Sequence, residues 1–128
     1  MRFGYVTFQG AVDGGLIDDY LADVDEFMAA PGDSKIGLVV EGYGVSQARD
    51  LPPDAFSVHH RRIMDFHNAS TAGKQLSLHP LVVEFLGHVF RERVVAMQSL
   101  TFDYGTEQPL HQDFAYVVAN IPSHLAAL

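Results

Sequence analysis

The apolar residues of this chain change their period along the sequence, and that change restricts the fold more than any other feature. Leu16, Ile17, Tyr20, Leu21, Val24, Phe27 and Met28 recur at helical spacing, with Asp18, Asp19, Asp23, Asp25 and Glu26 on the opposite side. Positions three and four apart stack on one face of a 3.6-residue helix, so this segment is an amphipathic helix with a solvated acidic face. From Val94 to Phe102 the pattern alternates instead, with Val95, Met97, Ser99 and Thr101 in one set and Val94, Ala96, Gln98, Leu100 and Phe102 in the other. Period two is strand behaviour, and because both sets are mostly apolar the strand is expected to be covered on both sides. A chain that carries both periods belongs to the α+β class.

Turn and cap residues divide the rest. Asp13 suits the start of the acidic helix and Pro31-Gly32 its end. Phe3 to Gln9 and Ile36 to Val40 read as short strands. Glu41-Gly42-Tyr43-Gly44-Val45-Ser46 contains a Gly-x-Gly but lacks the third glycine and the Lys-Ser/Thr pair of a phosphate loop, so it reads as a turn. Arg49 to Ala55, with Pro52-Pro53, is a loop, and Ser70-Thr71 suits a helix cap. Pro80 sits at the favoured first position of a second helix, whose apolar face is Leu81, Val82, Phe85, Leu86 and Val89. Tyr104 to Pro109 reads as a loop, and Asp113 to Val118 and Leu125 to Leu128 as further strands. The last residues, His124 to Leu128, stop inside an apolar element without a polar tail, so the expectation is a fragment.

Composition narrows the function. The 128 residues, 48% of them hydrophobic, suffice for one packed domain over 1–128. A net charge of -8, with eight Lys and Arg, argues against a nucleic-acid partner, because a duplex binder needs cations to replace condensed counterions. The Arg61-Arg62 pair is too small to alter this. The chain has no cysteine, so disulfides, thiolate metal sites and cysteine nucleophiles are excluded. Without a signal-like or membrane-length apolar run, the expectation is a cytoplasmic protein with no membrane partner.

His111-Gln112-Asp113 is the constellation with the most chemistry. Residues two apart on an extended chain project from the same face, so His111 and Asp113 can converge on one ion while Gln112 points away. Imidazole nitrogen with carboxylate oxygen suits iron(II), and a second His would complete a facial triad with open positions. Spacing alone is weak support, since seven His and sixteen acids yield about one such pair by chance. His59-His60 cannot both serve one site from a strand, because neighbours face opposite ways; His67, His79 and His88 are scattered, His79 at a helix start.

Context adds to the pair. Ala96-Met97-Gln98-Ser99-Leu100-Thr101-Phe102, followed by Gly105-Thr106-Glu107-Gln108-Pro109-Leu110-His111-Gln112-Asp113, resembles the phytanoyl-CoA dioxygenase family. Gly4-Tyr5-Val6 before an acidic amphipathic helix is similar to that family's entry segment, so the resemblance spans nearly the whole chain and is most specific from Ala96 to Asp113. It implies a double-stranded β-helix, a jelly roll or cupin-like barrel, with helices packed against one sheet. It also implies an iron(II)- and 2-oxoglutarate-dependent dioxygenase that hydroxylates a small organic substrate with O2. His111 and Asp113 are then catalytic residues and iron ligands, while Gln98 and Leu100 line the pocket for 2-oxoglutarate or substrate; simple core packing is the alternative for Leu100. The family's distal His and its 2-oxoglutarate-binding Arg have no match here, so the expectation is a truncated oxygenase domain lacking its C-terminal half, inactive as it stands. Two alternatives stay open: a non-catalytic fragment or degenerate domain acting as a structural or interaction module, and a cupin-like metal enzyme that does not use 2-oxoglutarate.

Overall fold

The computed structural model describes residues 5–58, 60–102 and 126–127. The acidic helix, α1, runs Gly14–Ala29. Asp13 starts it from an extended backbone by accepting a hydrogen bond from the Gly15 amide at 2.8 Å, which satisfies one of the amides a helix start leaves unpaired. It stops at Ala30, whose amide donates to Glu26 O, and the chain reverses through Gly32 at φ +53°. Val24 is buried, and Tyr20, Phe27 and Met28 pack beside it.

Among the described residues four strands form one antiparallel sheet: β1 (Gly37–Val40), β2 (Gly44–Gln47), β3 (Arg61–Met64) and β4 (Leu100–Phe102), in the order β2-β1-β3-β4. The β1–β2 hairpin turns through Gly42 at φ +83°, a left-handed backbone that glycine adopts without a steric penalty. The register sorts side chains into rows. Ser46, Leu38, Ile63 and Thr101 form a row on the inner face, and Val45, Val39, Arg62 and Phe102 one on the outer face. Leu38 is 0% and Ile63 1% exposed, and with Val24, Val40, Ala48, Ala55 and Phe66 they make the core. Burying a side chain of that size stabilises by about 1.5–3 kcal/mol, so these few positions carry much of the fold. Phe66 seats α1 on the sheet, its ring 5.3 Å from Phe27 and 6.0 Å from Tyr20.

Two shorter helices follow β3. α2, Thr71–Ser77, is capped by Ser70, whose hydroxyl accepts from the Gly73 amide at 2.7 Å and donates to Asp23 of α1 at 2.5 Å. α3, Pro80–Phe90, begins with its proline after His79 and ends at Arg91 in a left-handed conformation. None of its residues is buried, and Phe85 meets Phe8 edge-on at 5.4 Å. Among the described residues no helix is long and apolar enough to cross a membrane.

Mixed α and β structure is therefore observed, while Gly44 to Ser46, read as turn, belong to strand β2, and two expected strands differ from the sequence reading. Tyr5 to Gln9 forms no strand; the segment bends at Gln9-Gly10 and Phe8 packs on α3. The strand expected over Val94 to Phe102 is limited to Leu100–Phe102, and Val95 and Met97 are exposed, so it is not covered on both sides. The cause lies in its partner. β3 ends at Met64, opposite Leu100, and Asp65 turns left-handed at φ 54°, which leaves residues before Ser99 no strand to pair with. The strand expected over Asp113 to Val118 lies outside the described residues. Of Leu125 to Leu128, Ala126 and Ala127 are described, exposed and without regular structure.

Candidate functional site

β4 is the described element nearest in sequence to the His-x-Asp pair. His111, Gln112 and Asp113 lie outside the described residues, whereas Gln98 and Leu100 can be placed. Gln98 is exposed and precedes β4. Leu100 is 39% exposed and faces outward opposite Met64, so it is not a core residue. The inward position is Thr101, next to buried Ile63 in register, with its hydroxyl bonded to that of Tyr20. β4 thus spends one face on anchoring to α1, while among the described residues the other carries exposed Leu100 and Phe102 under Arg62.

A polar junction fixes where β4 begins. The Asp65 amide donates to Ser99 O at 2.8 Å, and the Ser99 amide donates to Asp65 Oδ1 at 3.1 Å. Ser99 Oγ is 2.8 Å from Nδ1 of His67, which is buried in the turn between β3 and α2. Gly73 makes room for that turn: a Cβ there would stand 3.2 Å from the His67 backbone. His67 has no sequence signal of its own. The available hint was Ser99, a hydroxyl in a mostly apolar segment that needs a partner once covered.

Beside this junction an open groove of about 540 Å³ runs between the start of β1 and the end of β3, with Ser34, Lys35, Met64, Asp65 and Asn68 along it. Gly37 lines it beside Met64, and a Cβ there would make ordinary contact with the Met64 side chain at 3.4 Å. The Lys35 ammonium, Asp65 carboxylate and Asn68 amide along it can hydrogen-bond a small polar molecule. Further away, the Tyr43 hydroxyl donates to Asp54 Oδ2 at 2.7 Å. That bond holds the Tyr43 phenol above its usual 10.0, helped by slight desolvation and the Asp54 charge. Among the described residues no group of three or more His, Asp or Glu is arranged to hold a metal. Comparison with protein-family models, curated proteins and solved structures returns no match for this chain.

Proposed function

We propose that this chain is part of an iron(II)- and 2-oxoglutarate-dependent dioxygenase similar to the phytanoyl-CoA dioxygenases, hydroxylating a small organic substrate with O2. The observation that carries the reading is Pro109-Leu110-His111-Gln112-Asp113 downstream of Ala96 to Phe102. The antiparallel sheet supports it at the level of class, because a jelly roll is built from antiparallel strands. β4 ends at Phe102, so its exit leads into the segment that carries the motif.

The donor set fits the metal: one imidazole and one carboxylate are ligands that suit iron(II). His111 and Asp113 would hold the ion from one side of an extended segment, with Gln112 facing away as a support. When bound, iron(II) with 2-oxoglutarate supplies the oxidising power to hydroxylate a C–H bond. Leu100 offers an apolar wall on the outer face of β4, and the exposed Gln98 amide offers hydrogen bonds to a polar co-substrate.

The test is anaerobic titration of the full-length protein, with its downstream sequence included, with iron(II) and then 2-oxoglutarate, followed by visible absorption. A weak charge-transfer band that needs both additions supports the dioxygenase. Iron binding without the band favours a metal enzyme that does not use 2-oxoglutarate. Absence of iron binding favours a non-catalytic module.

A further inference from the structure

The strands place a cation among apolar residues on the outer face of the sheet. Register sets Val45, Val39, Arg62 and Phe102 in one row and Gln47, Gly37, Met64 and Leu100 in the next, opposite the face that buries Leu38 and Ile63. Arg62 is partly buried there, with its guanidinium 5.6 Å from the centre of the Phe102 ring. Among the described residues that guanidinium makes no hydrogen bond and no ion pair, in a chain with sixteen acids to eight Lys and Arg. Arg61 beside it shows the contrast, since its guanidinium donates to the Phe56 carbonyl. A partly desolvated cation calls for an anion, and one resting on a ring face keeps its in-plane N–H groups available.

The neighbours of Arg62 indicate what that anion carries. Leu100 is exposed, Val39, Met64 and Phe102 are partly buried, and Met64 also lines the groove at the start of β1. One guanidinium balances one negative charge, and its planar fork matches a carboxylate through two parallel hydrogen bonds. The apolar side chains around it suit an apolar body attached to that carboxylate. We infer that Arg62 binds the carboxylate of the substrate, a small monocarboxylate whose apolar body lies on Leu100, Phe102 and Met64. Calling this ligand the substrate rests on the dioxygenase reading; the preference of Arg62 for an anion does not.

Calorimetric titration of the iron-free, full-length protein with hexanoate and with its neutral amide, hexanamide, tests this. The wild-type protein should bind hexanoate at least about tenfold more tightly, the difference that a charge-assisted pair supplies. Arg62→Gln should abolish the preference while hexanamide binds as before, which shows that the variant is folded. Arg62→Lys, which keeps the charge without the fork, should retain part of it. Excess 2-oxoglutarate should leave hexanoate bound; displacement would give Arg62 to the co-substrate and overturn the inference. Equal binding of the two probes, binding of neither, or a preference that survives in Arg62→Gln would also overturn it. If the preference holds but iron(II) and 2-oxoglutarate give no charge-transfer band, the carboxylate site stands and the dioxygenase reading fails. A band without the preference sinks this inference alone.

Discussion

Replacing Ser70 with alanine removes one hydroxyl that serves two helices. Its oxygen caps α2 at the Gly73 amide, and its proton goes to the Asp23 carboxylate on α1. Loss of an N-cap costs about 0.5–2 kcal/mol. Leaving a partly buried carboxylate without its donor costs about 1–3 kcal/mol, toward the lower end because solvent reaches Asp23. Ser70→Ala is therefore expected to lose about 2–3 kcal/mol, a large share of the roughly 5–15 kcal/mol that holds a domain folded. Urea unfolding reads this directly as a midpoint lowered by about 1 M or more at unchanged slope. Combined with Asp23→Ala in a double-mutant cycle, the two positions should couple by about 1 kcal/mol, while the remainder of the Ser70 cost persists as the cap. A Ser70→Ala loss below about 0.5 kcal/mol, with no coupling to Asp23, would refute the account of how α1 and α2 are joined.

Other positions give independent tests. Ile63→Ala empties a fully buried site in a central strand and should cost about 2–5 kcal/mol by denaturant unfolding. His67→Ala removes the partner of Ser99 Oγ, so the Asp65 amide, which donates to Ser99 O, should exchange its hydrogen about tenfold faster. The Tyr43 phenol should titrate above 10.0 by ultraviolet absorption and return toward that value in Asp54→Asn. Because its folded value is raised, any stability it contributes is complete below pH 10 and disappears as pH climbs through the raised value.

What could be read from the sequence follows from where local chemistry decides structure. The α1 helix, its Asp13 cap, the Ile36 to Val40 strand and Pro80 at the head of α3 match the structure, because each is set by period, cap or fixed backbone angle, whereas Ile17 and Leu21 of the α1 stripe are exposed and Gly44 to Ser46, read as turn, belong to β2. β3 was not visible, since Arg61 and Arg62 mask its single buried residue, Ile63. Their charges are accommodated by tertiary partners, the Phe56 carbonyl for Arg61 and the Phe102 ring, 5.6 Å away, for Arg62. Val94 to Phe102 misled in the other direction, because alternation describes a segment that could pair, while β3 decides how far it does. Of the site, Leu100 lies on the outer face while His67, Asp65 and Ser99 form a junction that only long-range folding assembles. The His111–Asp113 pair rests on sequence pattern and donor chemistry.

Iron(II) affinity across three single variants tests that pair most directly. Equilibrium dialysis under anaerobic conditions should show His111→Ala and Asp113→Ala each weakening iron binding at least about tenfold, as expected when a ligand is removed, with Gln112→Ala close to wild type. Iron bound equally well by all three variants, or lost only in Gln112→Ala, would contradict a metal held by His111 and Asp113.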